Sequence, residues 1–201
     1  MKILLATNNE VKAKNLKTAF KEFLPEASVL SLKEANMDVD VETQKGTLLA
    51  NAKQKALIAH NNLQHKSDFD YTLGEDFGFY VQASVRSAGV YTERWSKGVK
   101  KDKSQSILEL FKIKNSAGKR AEFNCAMVAV NKNHKFYYSS GELKGKIGSK
   151  TPKSESFSYD QVVEMPDGRY LSEYSQDERY NISSRRKALK GLVSQFNKNI
   201  K

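Results

Sequence analysis

Four consecutive apolar residues, Ile3 to Ala6, run directly into Thr7, Asn8 and Asn9, and a helical pattern with Lys12 on its first turn follows at once. A short, unbroken apolar run of this kind is a strand covered on both faces, as in the interior of a parallel sheet. A strand that ends in a tight polar turn and hands over to a helix brings unpaired backbone N–H groups and the positive end of the helix dipole to one place. That arrangement suits phosphate, with Asn9 and Lys12 able to add side-chain donors. The glycines of a P-loop or a dinucleotide fold are missing, which excludes both. Taken alone, the stretch also reads as a plain helix capped by Asn9 with a solvent-facing Lys12.

The rest of the chain alternates helix and strand signals. Leu16, Ala19, Phe20, Phe23 and Leu24 share one helical face, and Pro25 ends it. Thr47 predicts the cap of a second helix, followed by Leu48, Leu49, Ala52, Ala56, Leu57 and Ala59. Tyr71 to Leu73 and Phe79 to Val81 predict two strands on either side of the turn-like GEDFG, and Phe123 to Val130 predicts a buried one. Asn131 to His134 predicts a hairpin turn into KFYYSSGELKGKI, a long strand interrupted by glycines. The stretch around Pro152 and Pro166 reads as loop, and a last helix capped by Ser183 buries Ala188, Leu189, Leu192, Val193 and Phe196. No internal repeat or low-complexity linker interrupts this, so one α/β unit with a mixed sheet over residues 1–201 is the simplest architecture.

Composition narrows the partners. A formal charge of +11 favours an anionic ligand, whether a nucleotide, a nucleic acid or an anionic surface. The basic run Lys97 to Gln105 has no aromatic interleaved beyond Trp95 at its edge, so it reads as a solvated loop, and a nucleic-acid partner is not expected. With Cys125 alone there is no internal disulfide and no cysteine zinc cluster. His60, His65 and His134 are too scattered for a metal site or a triad. No leader and no run of about 18 apolar residues is present, so a cytoplasmic protein without a membrane partner is expected.

Seven segments, in order, resemble the Ham1-type family of non-canonical purine nucleoside triphosphate pyrophosphatases. The opening is similar to strand-Thr-x-Asn-x-x-Lys through Thr7, Asn9 and Lys12, with Asn8 between them, and TLLANAKQKA carries Asn51, Ala52 and Lys55 five residues and more beyond Glu42. GEDFGF resembles an acidic-acidic-Ser-Gly-Leu segment through Glu75, Asp76 and Gly78. AGVYTERW, RAEFNC, FSYDQ and ISSRRKAL resemble the family's remaining motifs. The resemblance implies an elongated mixed β-sheet flanked by helices, in two lobes with a nucleotide cleft between them, and a homodimer. It also implies a Mg²⁺-dependent hydrolase that cleaves ITP, dITP or XTP to a monophosphate and pyrophosphate.

The roles that the resemblance implies fall into three groups. Glu42 and Asp76, with Glu75 close by, would hold Mg²⁺, and Asp76 would be the base for the attacking water. Lys12, Lys55 and Arg94 would supply positive charge to the phosphates. Phe157 or Tyr159 would stack on the purine, Asp160 would accept from its ring N–H, and Arg185 would donate to an exocyclic oxygen.

Departures from the family pattern cluster at the base end. Ser184 stands where the family has a histidine, Arg179 where it has a lysine, and Ser156 and Ser158 where glycines flank the aromatic. Phosphate and metal groups are complete while base recognition is altered. The alternative to an active hydrolase is a degenerate family member that binds nucleotide or RNA without efficient turnover.

Overall fold

The chain was described from a computed structural model, which covers residues 1–43, 46–82, 117–149 and 159–197. Arg94, Phe157, the segments 88–95 and 97–105 and Pro152 lie outside the described residues. Within them one six-stranded sheet runs in the order β2-β1-β3-β4-β5-β6. Its strands are β1 (Lys2–Leu5), β2 (Ser28–Ser31), β3 (Tyr71–Val81), β4 (Arg120–Asn131), β5 (Phe136–Ile147) and β6 (Val163–Glu164). Four α-helices are described: α1 (Glu10–Phe23), α2 (Leu48–Asn61), α3 (Gln176–Ile182) and α4 (Ser184–Asn197). The sheet is mixed, since β1 lies parallel to both β2 and β3 while β5 and β6 are antiparallel. No helix among the described residues is long and apolar enough to cross a membrane.

The chain divides into two compact units. One comprises Met1–Asp76, Cys125–Gly141 and Arg185–Lys201, the other Phe77–Asn124 and Glu142–Ser184. In the first unit, Ile3, Leu4 and Leu5 are fully buried, as the apolar run predicts. Leu4 and Ala6 pack with Leu32, Val41, Ala59, Leu63 and Phe69. Asn9 caps α1 by accepting from the Lys12 N–H at 3.0 Å, and Thr47 caps α2 by accepting from the Ala50 N–H at 3.1 Å. Each cap contributes about 1 kcal/mol. The α4 stripe of Ala188, Leu189, Leu192, Val193 and Phe196 is buried, and the Phe196 ring stacks on Tyr71 at 3.9 Å. In the second unit Phe79, Phe123, Leu143, Val163, Met165 and Leu171 share a core.

Two features differ from the sequence expectations. GEDFG is not a turn between two strands: β3 continues through it without a break. Gly74 is the reason, because a Cβ there would stand 2.0 Å from the Ala52 carbonyl oxygen, so only glycine lets α2 lie directly on the strand. The stretch after Pro166 also holds α3, whose N-terminus is a capping box in which the Ser175 Oγ accepts from the Glu178 N–H and the Glu178 carboxylate accepts from the Ser175 N–H. With no buried residue, QDERYNI has no apolar stripe to announce it. Ser183 stands directly before α4, the position expected of a cap, and donates its hydroxyl to the Tyr180 carbonyl at 2.8 Å.

Candidate active site around Glu75 and Asp76

Successive side chains leave a strand on opposite faces, and β3 shows what this does to a neighbouring pair of carboxylates. On one face Tyr71 meets Phe196 of α4, and Glu75 meets Arg185 of α4 and Lys12 of α1. On the other, Thr72 meets His60, Gly74 meets Ala52, and Asp76 meets Asn51 and Lys55, all from α2. The pair is thus split between two sets of partners by the period of the strand. Both carboxylates are nevertheless buried, at 5% and 8% exposed, so each requires its own compensation.

Glu75 is an anchor for cations. Its Oε1 accepts from Arg185 through Nε at 3.1 Å and Nη2 at 2.9 Å, and from the Cys125 thiol at 3.6 Å. Lys12 Nζ lies 3.4 Å from Oε2. Burial alone would push the Glu75 carboxyl up, but Arg185 and then Lys12 outweigh it and hold it down at about 2. In return, Glu75 raises Arg185. Burial and Arg185 pull the Lys12 ammonium down, yet Glu75 and Asp76 more than offset them and Lys12 too ends raised. All three groups are therefore charged throughout the physiological range. Burial pushes the neighbouring Cys125 thiol well up, so it is a packed donor and not a nucleophile.

Asp76 is held differently, by one donor on each oxygen. Lys55 Nζ donates to Oδ1 at 2.8 Å and the Asn51 amide donates to Oδ2 at 2.7 Å. Lys55 also reaches the Glu75 carbonyl oxygen at 3.4 Å, which ties the two residues' backbone and side chain to α2. Asn51 and Lys55 are four residues apart and so stand on one helical face. The site residues expected from sequence included Lys55 but not Asn51, although this spacing was the available signal. Around two carboxylates the structure thus gathers three cations, Lys12, Lys55 and Arg185. Counted over these described residues, the cations exceed the carboxylates by one, which favours an anionic ligand.

The other expected residues have these places. Thr7 Oγ1 accepts from the Asn9 N–H at 3.2 Å, the Asn8 amide donates to the Val39 carbonyl at 3.1 Å, and Asn9 is spent as the α1 cap. Thr7 and Asn8 also line an open cavity of about 440 Å³ with Lys33, Asn36, Met37 and Asp38. Glu42 lies on an exposed loop, where its N–H donates to Asp40 Oδ1 at 2.9 Å. The next residue, Thr43, donates to Asn51 Oδ1 at 3.4 Å, so Glu42 follows a loop pinned to the residue that holds Asp76. In the second unit Tyr159 packs on Phe79 at 4.6 Å between ring centroids, and Arg179 meets Asp160 at 3.3 Å. Ser184 opens α4 and is 3% exposed.

Among the described residues no group of three or more His, Cys, Asp or Glu is placed to hold a metal. Mg²⁺ asks for less, since one or two carboxylates suffice beside phosphate oxygens and water. Asp76 and Glu42 are hard oxygen donors linked through Thr43 and Asn51, and that donor chemistry fits the ion. Glu75, the third carboxylate expected at the ion, leaves the strand on the opposite face and pairs with Lys12 and Arg185.

Comparison with known proteins gives one consistent result. A family model described as Ham1 family matches residues 3–195. The chain is 33% identical over 193 residues to a dITP/XTP pyrophosphatase of Clostridium tetani, covering 93% of this chain and 92% of that protein. It is 30% identical over 195 residues to a dITP/XTP pyrophosphatase of Clostridium perfringens, covering 95% of each. The solved structure of the Staphylococcus aureus Ham1 protein superposes with a TM-score of 0.81 at 25% identity, covering 99% of this chain and all of that one (100%).

Proposed function

The chain belongs to the Ham1 family, and from that premise we propose that it hydrolyses non-canonical purine nucleoside triphosphates, ITP, dITP and XTP, to monophosphate and pyrophosphate. The observation that carries this reading is the cluster of partly exposed Lys12 and Arg185 and buried Lys55 on the buried carboxylates Glu75 and Asp76, a preorganised positive site with a carboxylate positioned inside it.

In the reaction, water attacks the α-phosphorus, the bond to the bridging oxygen of the β-phosphate breaks, and pyrophosphate leaves with the electron pair. Asp76 takes the proton of the water. Lys12 and Lys55 face the charge that grows on the leaving group, where fixed cations contribute most because they need no reorganisation. Mg²⁺ held by Asp76 and Glu42 would neutralise part of the polyphosphate charge. Glu75 touches neither water nor ion in this account. It keeps Lys12 and Arg185 in place.

For the base, this reading relies on Asp160 and Arg179 with the aromatic residues Phe157 and Tyr159. Arg185 spends two of its N–H groups on Glu75 and serves the base less than the family resemblance implies. A cytoplasmic homodimer without a nucleic-acid partner completes the proposal, and rests on the family resemblance and the composition. Incubation with ITP and Mg²⁺ tests the reaction: IMP and pyrophosphate in equal amounts are expected. Formation of IDP and orthophosphate would contradict the proposed bond cleavage.

A further inference from the structure

We propose that Asn51 is a positioning residue for hydrolysis: its side-chain amide clamps the Asp76 carboxylate on one side and the Glu42 loop on the other. The proposal rests on the hydrolase reading above. Asn51 is 3% exposed, on the helix face that lies against β3. Its Nδ2 donates to Asp76 Oδ2 at 2.7 Å, beside the 2.8 Å contact from Lys55 to Oδ1, and its Oδ1 accepts from the Thr43 hydroxyl at 3.4 Å. An amide is the group suited to this, because it carries a donor at one end and an acceptor at the other. Aspartate could accept from Thr43 but would repel Asp76, and leucine of similar size could do neither.

Two consequences follow from the geometry. With Lys55 on Oδ1 and Asn51 on Oδ2, the plane of the Asp76 carboxylate is fixed, so the lone pairs that remain point in set directions. Lys55 alone would leave the carboxylate free to turn about its Cβ–Cγ bond. Second, Thr43 follows Glu42 directly, so the Thr43–Asn51 bond limits how far the Glu42 backbone can stray from Asp76. Chain connectivity does not enforce that by itself, since Gln44 to Gly46 separate Thr43 from the Thr47 cap.

The test uses the full chain with ITP and Mg²⁺ and compares wild type with Asn51→Leu, Asn51→Asp and Thr43→Val, each checked for an unchanged melting profile. Loss of a residue that orients a functional ligand typically costs roughly 10- to 100-fold, and Asn51→Leu is expected to lose that much in kcat with KM within about twofold. Asn51→Asp sets two carboxylates against each other, which can share a proton but resist carrying two charges, so the acid limb of its rate profile should move up by about one pH unit or more. Thr43→Val should lower kcat several-fold, and add little on the Asn51→Leu background, because the two act through one contact.

A side-chain amide resonance of Asn51 displaced in wild type, and returned to the ordinary position in Asp76→Asn, shows the clamp without any turnover. An active wild type whose Asn51→Leu and Asn51→Asp variants keep its kcat and pH profile overturns the inference and leaves the hydrolase reading standing. A wild type that releases pyrophosphate from no triphosphate removes the hydrolase reading, and the positioning role with it, even if the amide resonance is displaced.

Discussion

Glu75 meets Arg185 at 2.9 Å with the two side chains 3% and 25% exposed, whereas Asp160 meets Arg179 at 3.3 Å with the two side chains 27% and 40% exposed. Both are acid–guanidinium pairs, in different units, assigned by resemblance to one substrate. Their physical situations differ. A buried pair must be kept complete, since removal of one partner leaves an uncompensated charge at a cost of about 3–5 kcal/mol. A half-exposed pair contributes about 0–1 kcal/mol and can be exchanged with little penalty. The sequence departs from the family pattern along this line at one position: Lys12, Lys55, Glu75 and Asp76 stand in the matched motifs, while Arg179, in the half-exposed pair, is a replacement. Ser184 is a replacement at a buried position, which this contrast does not explain.

The comparison can be broken at its strong end first. Asp76→Asn should lower kcat for ITP by about 10²- to 10⁴-fold, the range for loss of a general base, with the fold retained because the amide still bonds Asn51 or Lys55. Single-turnover kinetics at saturating Mg²⁺ read this directly, and an unchanged rate removes Asp76 from the reaction.

Glu75→Gln leaves Lys12 and Arg185 facing a neutral group, and a stability loss of about 3–5 kcal/mol is expected in urea unfolding. Since the folded Glu75 carboxyl lies at about 2, below its ordinary 4.5, its contribution is complete above pH 4.5 and fades as pH falls toward 2. Wild type minus variant should therefore be flat from pH 5 to 9.

A different residue governs the window above that. His60, in the same unit, is 1% exposed, and its imidazole is pushed down to about 4 by burial, then by Lys66 and His134. It binds protons more readily when unfolded, so stability should fall as pH drops from 6.5 toward 4. His60→Gln should flatten that slope, and a slope that survives would assign it to other groups.

The smallest effect belongs to the base end. Ser184→His restores a ring donor and should sharpen preference for ITP over ATP by about tenfold, equivalent to roughly 1.4 kcal/mol. Because Ser184 is buried, the larger side chain should also cost about 1–3 kcal/mol of stability. An unchanged ITP:ATP ratio would show that the base does not approach this position.

Much of this architecture was legible in the amino-acid order. Local signals announced β1, the Asn9 and Thr47 caps, the α4 stripe and the long β5 strand, because each is decided by residues within a few positions of one another. The course of β3 was not legible. Two adjacent acids followed by Phe-Gly read as a turn, and the groups that allow them to be buried in a strand come from Lys12, Lys55 and Arg185, up to 110 residues away. The division of labour between Glu75 and Asp76 was hidden for the same reason. As neighbours in sequence they look like one metal-binding pair, and only the alternation of β3 against α2 and α4 gives them separate partners. Asn51 was matched to a family motif but given no role, because its partner Asp76 lies 25 residues away and only the fold brings the two together. Arg94 and Phe157 lie outside the described residues and keep the roles that resemblance gives them.

The most direct test is kcat/KM for ITP, XTP, GTP and ATP with Mg²⁺, followed by pyrophosphate release. The proposed phosphate and carboxylate site, joined to an altered base end, predicts efficient pyrophosphate release from ITP and XTP and a narrowed but measurable margin over ATP. Pyrophosphate from none of the four would contradict the account and identify a nucleotide-binding protein that has lost turnover.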